Sequence, residues 1–348
     1  MKRLLVFNLA TDADDPILGF AVGWLVALAG RVGHVDVVTM RAGRSDLPPN
    51  VAVFSVGKER GYGEPRRAWE FYRLLAGLLR RNRYDACFAH MMPLFALLGW
   101  PLLRARSVPT TLWYAHRATG PVLRLAAGVV DAIVTPSVES FRVASPKVRV
   151  VGHGIDVSSF QPVAAPEVPP CRIVVVGRVS PVKRLEIVVE ALPSIAEGVG
   201  GAVSLHLVGP ADVGYAARLR DLARHRGCQG DVVLHGPVSH REVAAELAAA
   251  TVAVNVSATG SVDKAVLEAM ASSVPVVVAN EAFAFLPEEC RAEPTPGAVA
   301  AAVIAMASLP ATGRAALGGR LRAIVERDHS LDRLVDLLVD DVLAGRAR

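Results

Sequence analysis

At 348 residues the chain is too long for one ordinary hydrophobic core and suits two domains of similar size. Its four cysteines, Cys87, Cys171, Cys228 and Cys290, lie far apart without CxxC spacing or Cys/His clustering, which argues against a zinc site or disulfide framework and for reduced, buried thiols of a cytosolic protein. The net charge of +5 is uneven: residues 1–160 hold 20 Lys and Arg against 12 Asp and Glu, a surplus of 8, whereas the remainder runs to −3. Anionic partners are therefore drawn to the first half, but its cations lack interleaved stacking aromatics and no nucleic-acid motif is present, so nucleic acid is not expected.

The residues Met1-Lys2-Arg3 lead straight into an apolar strand at 4–8, a start unlike a signal peptide. A helical pattern at 19–28 follows, then strands and helices alternate through 35–40, 69–79, 86–89, 110–114, 132–136 and 148–151. The most apolar run, 91–103, is 13 residues long and carries Pro93 and Pro101, too short and broken to span a bilayer. After 161-QPVAAPEVPP-170, whose four prolines resist helix and sheet alike, the rhythm resumes. It runs through 173–176, 185–192, 204–208, 216–223, 232–234, 244–250, 252–256, 262–270 and 276–279. Such alternation predicts an α/β protein with two Rossmann-like domains whose parallel sheets face a central cleft, with ligands at the carboxyl ends of the strands. The expected division is 1–160, a linker at 161–170, and 171–330; a helical tail at about 331–346, with Leu331, Leu334, Val335 and Leu338 on one face, is free to return to the first domain.

Chemistry concentrates in two segments of the second half. In 173-IVVVGRVSPVKRLEIVVEAL-192 a strand ends at Gly177, which lets the chain turn sharply, and Arg178 and Lys183 follow five residues apart. Two fixed cations there hold a diphosphate and neutralise the charge that grows as it leaves, or else stand as solvated loop residues. In 257-SATGSVDKAVLEAMASSVPVVVAN-280 the apolar spacing of Val262, Ala265, Val266, Ala269 and Met270 predicts a helix entered through Gly260-Ser261, whose free N–H groups suit an anion. Asp263 stands in that first turn, either as a hydrogen-bond acceptor for ligand or as a helix stabiliser. Lys264 and Glu268 are spaced as an i, i+4 pair.

The second half resembles the retaining glycosyltransferases of family four, which have the GT-B fold. The residues that carry the resemblance are VVGR…K at 175–183, LHLVGP at 205–210, VVLHGPV at 232–238 and AVLEAMASSVPVVVAN at 265–280, preceded by VVGHGID at 150–156, similar to the family's inter-domain segment. The resemblance implies that Arg178 and Lys183 bind the donor diphosphate, that Glu268 takes the ribose hydroxyls, and that the main chain of Gly236-Pro237-Val238 receives the base. The family usually has a second glutamate eight positions before the one matched by Glu268, and here that position is Gly260. The N–H groups of Ser261 and Val262 are then expected to meet sugar or phosphate, with Asp263 supplying the missing acceptor and Lys264 offsetting its charge.

The first half matches less closely. Where the family often has a Gly-rich loop, this chain has 8-NLATDADDPILGF-20, with Gly19 alone. Asp12, Asp14 and Asp15 repel phosphate but suit hydroxyls of an acceptor; a metal-binding reading of the D-x-D at 12–14 is disfavoured by its place after the first strand and by the Arg178/Lys183 pair. His116 matches the family's cleft-facing histidine, and His90 is placed similarly one strand earlier, so both are candidates for positioning sugar or acceptor. The expected protein is thus a metal-independent, hexosyltransferase-like enzyme without cofactor, using a nucleoside-diphosphate sugar as donor. Six arginines, Arg66, Arg67, Arg73, Arg80, Arg81 and Arg83, lie beside Trp69, Phe71 and Tyr72; either this is a domain helix that buries Leu74, Leu75, Leu78 and Leu79 while its arginines are solvated, or, as the surplus of cations in the first half favours, it marks a cytoplasmic enzyme peripheral to an anionic membrane with a lipid or lipid-linked acceptor. The alternatives are a sugar-nucleotide epimerase of the same fold and a catalytically silent binding protein.

Overall fold

A computed structural model of the protein describes residues 2–15, 18–116, 118–162 and 171–342, with side chains through residue 340. The chain divides into two compact units, Met1–Gly154 with His329–Arg348, and Ile155–Asp328.

The first unit runs β1 (Arg3–Thr11), α1 (Phe20–Ala29), β2 (His34–Ala42), β3 (Val51–Ser55), α2 (Glu64–Arg81), β4 (Ala86–His90), α3 (Pro93–Ala105), β5 (Thr110–Trp113), α4 (Pro121–Val129), β6 (Ala132–Thr135) and β7 (Val148–Val150). Its seven strands form one sheet in the order β3-β2-β1-β4-β5-β6-β7, every pair parallel. The order reverses between β1 and β4, where Asn8 lies across from His90, and such a switch point leaves a crevice at the carboxyl strand ends. β1 is buried along most of its length because helices cover both faces of the sheet, which is why it reads as a continuous apolar run. On one face Phe7 packs edge-on against Phe71 of α2 and Phe95 of α3. The other face holds Trp24 and Leu28 of α1.

The apolar run expected at 91–103 is helix α3: Pro93 occupies its first turn, where no N–H is missed, and the interior Pro101 is tolerated in a helix whose Phe95, Ala96 and Leu103 are buried. Among the described residues no single helix is long and apolar enough to cross a membrane.

The second unit runs β8 (Cys171–Val176), α5 (Glu186–Val199), β9 (Val203–Val208), α6 (Val213–His225), β10 (Val232–Gly236), α7 (His240–Ala248), β11 (Val252–Asn255), α8 (Lys264–Ala271), β12 (Val276–Val278), α9 (Pro296–Ala307) and α10 (Ala311–Asp328). Five parallel strands follow the order β10-β9-β8-β11-β12, with the switch point between β8 and β11. Ile155 and Phe160 are buried in this unit's core, so the chain enters it before residue 161; residues 163–170 of the expected linker lie outside the described residues. The last helix, α11 (Leu331–Leu337), and a π turn, Leu338–Val342, belong to the first unit. There Leu331, Leu334, Val335 and Leu338 join the core beside α1 while Arg31 bonds Asp332 and Asp336; residues 343–346 of the expected tail helix are not described.

Candidate functional site

In the second unit the two chemistry-bearing segments arrive at the same place, because β8 and β11 are neighbours and the chain leaves both at their carboxyl ends. The loop after β8 starts at Gly177, whose φ of 132° is closed to most side chains; a Cβ there would stand 3.3 Å from Lys183 Cε. Gly209, at the end of β9, approaches closer still, and a Cβ on it would lie 2.3 Å from the Gly177 carbonyl oxygen. This close approach explains the glycines of the VVGR and LVGP stretches. The loops after β8 and β11 are tied together: Ala258 N donates to Val182 O at 3.0 Å, and Arg184 Nε donates to Val256 O at 3.2 Å.

Lys183 Nζ meets Asp263 Oδ2 at 2.6 Å, and the same oxygen accepts from Asn255 Nδ2 at 2.8 Å and Ser257 Oγ at 3.2 Å. Burial works to raise the Asp263 carboxyl, but the Lys183 ammonium and the donated hydrogen bonds outweigh it and hold the group below its usual value. Arg178 is exposed and has no ion pair among the described residues. The Oγ of Ser180, between the two cations, is buried without a hydrogen-bond partner.

This arrangement corrects the expectation for the helix start. Helix α8 begins at Lys264, not Val262, and Asp263 is its N-cap residue without a capping bond, because its carboxylate is turned to Lys183, Asn255 and Ser257. Lys264 Nζ lies 3.6 Å from Glu268 Oε1, while the charge on Asp263 is met by Lys183. Burial lowers the Lys264 ammonium from its usual range, and the Glu268 carboxylate opposes that shift. Glu268 is itself buried, and His240 Nε2 stands 3.2 Å from the same Oε1. Gly260 has φ 59°, Val262 is buried, and Ser261 is held through its carbonyl by Asn280 Nδ2 at 2.9 Å. The turn Gly236-Pro237-Val238 follows β10, with φ 73° at Gly236 and its carbonyl accepting from Gly209 N at 3.0 Å.

Asn255, Ser257 and His240 join the cluster without having been singled out from sequence. His240 had a local signal: Ser239 and Glu242 form a capping box that starts α7 there. Asn255 and Ser257 carried none, since they read as the polar end of a buried strand.

In the first unit the loop after β1 is charge-matched from within. Both oxygens of Asp14 receive Arg44, at 2.6 and 2.9 Å, and this pairing holds the Asp14 carboxyl below its usual value; Asp15 pairs with Arg41. Asp14 thus stands in an exposed ion pair with Arg44. Gly19 is required where it stands, because a Cβ would lie 2.8 Å from the carbonyl oxygens of Ala13 and Asp15. His90 is buried, with Nδ1 2.9 Å from Asn8 Oδ1 and its ring against Trp24 and Phe20, a core position that does not suit direct contact with an acceptor. His116 lies three residues past β5, exposed, its Nδ1 accepting from Ala118 N at 3.0 Å.

Residues 170–308 match the family described as Glycosyl transferases group 1. No curated protein matches the chain in sequence. Among solved structures the chain is similar to HepE of Anabaena in complex with UDP and glucose, at 15% identity and a TM-score of 0.74, covering 99% of this chain and 100% of that one. Sucrose-phosphate synthase from Thermosynechococcus elongatus gives 19% identity and a TM-score of 0.76 with the same coverage. WaaG, a glycosyltransferase involved in lipopolysaccharide biosynthesis, gives 16% identity and 0.66 over 98% of this chain and 100% of that one. The two parallel sheets with their helices are the GT-B fold of these glycosyltransferases.

Proposed function

We propose, taking as premise that residues 170–308 belong to the glycosyl transferases group 1, that the protein is a retaining glycosyltransferase that moves a hexose from a nucleoside-diphosphate sugar to an acceptor hydroxyl. The observation that carries this is the Lys183–Asp263 pair at the switch point of the second sheet, which joins the loop bearing Gly177 and Arg178 to the start of the helix bearing Glu268. The donor diphosphate takes Arg178 and displaces Asp263 from Lys183, so the two cations stabilise the leaving group electrostatically and no metal is called for. Asp263, released, accepts from a hydroxyl of the sugar, in the role the resemblance gives to a glutamate at the position of Gly260. Glu268 holds the ribose, and Gly236-Pro237-Val238 receives the base. Of the two histidines, His116, which is exposed while His90 is buried, takes the role of positioning the sugar or acceptor. UDP or UDP-glucose in complexes of HepE supports a nucleotide-sugar donor of this class.

A second reading, a protein that binds a sugar nucleotide without turning it over, is favoured by the Lys183–Asp263 pair and by Gly260. Incubation with radiolabelled sugar nucleotides and a membrane or cell extract separates the readings. Label transferred to extract supports the transferase; a donor altered without acceptor means an epimerase; a donor bound and unchanged means a silent binder.

The acceptor is a lipid or lipid-linked glycan at an anionic, cytoplasmic membrane face. Support comes from α2, where Arg66, Trp69, Arg73 and Arg80 lie on one exposed face while Phe71, Leu75, Leu78 and Leu79 are buried. Each cation near an anionic surface adds about 1 kcal/mol. Sedimentation with anionic and neutral vesicles at low and high salt tests it: the protein pellets with anionic vesicles at low salt, and failure to do so leaves a water-borne acceptor as the reading.

A further inference from the structure

We propose that His206, His235 and Glu246 form a binding site for a zinc-class divalent metal ion in the second unit, one that staples β9, β10 and α7 together. His206 sits on β9 and His235 on the neighbouring β10, where the register shifts between Leu234 and Gly236. His206 is paired with Val233, and His235, two residues on, falls on the same face at the point where the ladder is irregular. His206 Nδ1 and His235 Nε2 are 2.9 Å apart, and Glu246 Oε1 of α7 lies 3.6 Å from His235 Nδ1. One ligand atom from each of the three residues lies within 4.8 Å of the other two. Ligands at zinc bond lengths are about 3.3 Å apart in a tetrahedron, so small side-chain rotations close the triangle around an ion.

The surroundings orient these groups as metal ligands are usually oriented. His206 Nε2 lies 3.1 Å from Ser204 Oγ, and donation to that oxygen leaves Nδ1 with its lone pair toward His235 and the ion. Arg172 bonds Glu246 Oε2, which turns Oε1 toward the histidines. His235, about a fifth exposed, keeps the site open to water as a fourth ligand. Proton balance needs no release: His206 ligates through Nδ1 with its proton on Nε2 toward Ser204 Oγ, and His235 ligates through the one ring nitrogen turned to the ion with its proton on the other, so both imidazoles bind neutral. Two imidazoles and one carboxylate, without thiolate, suit zinc rather than magnesium or calcium. The Arg172 cation weakens binding relative to a site without it. Because the ion would join the strand before Gly236 to the helix after Ser239, it would rigidify the turn 236–239. The site does not depend on the glycosyltransferase reading.

The test is zinc titration of the intact protein in competition with a chromophoric chelator. Wild type and His225→Ala, which removes an exposed histidine on α6, are expected to hold one equivalent per chain. His235→Ala and Glu246→Gln are expected to bind at least about tenfold more weakly. Cobalt(II) added to the wild type reads the same site without any variant, as visible ligand-field bands of a four- or five-coordinate ion that zinc abolishes. Binding unchanged in both variants, or a wild type that shows no stoichiometric zinc and no such bands, overturns the proposal.

Discussion

Replacing Lys183 by Met isolates the contribution of the Lys183–Asp263 pair. The change removes the ammonium 2.6 Å from Asp263 Oδ2 and keeps a chain of similar length against Gly177. Breaking a fully buried pair costs about 3–5 kcal/mol, because the remaining charge has lost its partner. Here the side chains retain 11% and 21% of their exposure, and Asn255 and Ser257 still donate to the carboxylate, so the cost should fall to about 2–3 kcal/mol at pH 7. The sign of the pH dependence follows from the carboxyl group. In the native protein Asp263 is held below its ordinary value of 3.8, so its contribution to stability is present above that value and is lost as pH falls toward the lower folded value. In the variant the lowering charge is gone and burial raises the same group, so acid protonates it and relieves the unpaired charge. The deficit should therefore shrink to under about 1 kcal/mol near pH 4. Urea unfolding at pH 7, 5.5 and 4, followed by far-UV circular dichroism, measures it. All four tryptophans, Trp24, Trp69, Trp100 and Trp113, lie in the first unit, so fluorescence follows that unit separately. A deficit below about 1 kcal/mol at pH 7, or one of equal size at pH 7 and 4, would show that Asp263 is not left as an unpaired buried charge in the variant. Lys183→Met/Asp263→Asn, which removes both charges, should recover most of the lost stability.

If Arg178 clamps the leaving diphosphate, Arg178→Ala should lower kcat/KM by a factor corresponding to about 2–4 kcal/mol with the unfolding midpoint unchanged, as steady-state kinetics and thermal melts will show. Asp263→Ala frees Lys183, so calorimetry should find nucleoside diphosphate bound as tightly as before or more tightly, and discrimination between sugars lost. Glu268→Ala should instead weaken the nucleoside diphosphate itself, and equal effects of the two substitutions on all ligands would end this division of roles. Gly209→Ala should destabilise the second unit by at least about 2 kcal/mol in urea titration, since it combines a φ of 140° with a Cβ 2.3 Å from the Gly177 oxygen.

The alternation of strands and helices, the two similar halves and the glycine and cation turn after β8 were all legible in the sequence, because each is set by neighbours a few residues apart. Apolar period and turn chemistry act over that range, and they mark β1, β8 and β11 as buried parallel strands wherever the rest of the chain goes. Helix α3 escaped that reading because its two prolines argue against a helix, yet its face buried beside Phe7 and Leu75 outweighs one missing hydrogen bond. β3 was missed because it is a half-buried edge strand with little alternation. Which charges meet is settled by how the strands pack, not by the local sequence. Lys183 and Asp263 are 80 residues apart, and Asn8 and His90 are 82. Each pair forms because a crossover lays one strand end beside another, and spacing along the chain does not encode that neighbour. The same holds for Arg44, which takes Asp14, and for His206, which meets His235 across two neighbouring strands. Electrostatic energy depends on distance in space and on burial, so the partners that set the charge state of Asp263 and Asp14 were fixed by the sheet order rather than by the motifs in which those residues lie.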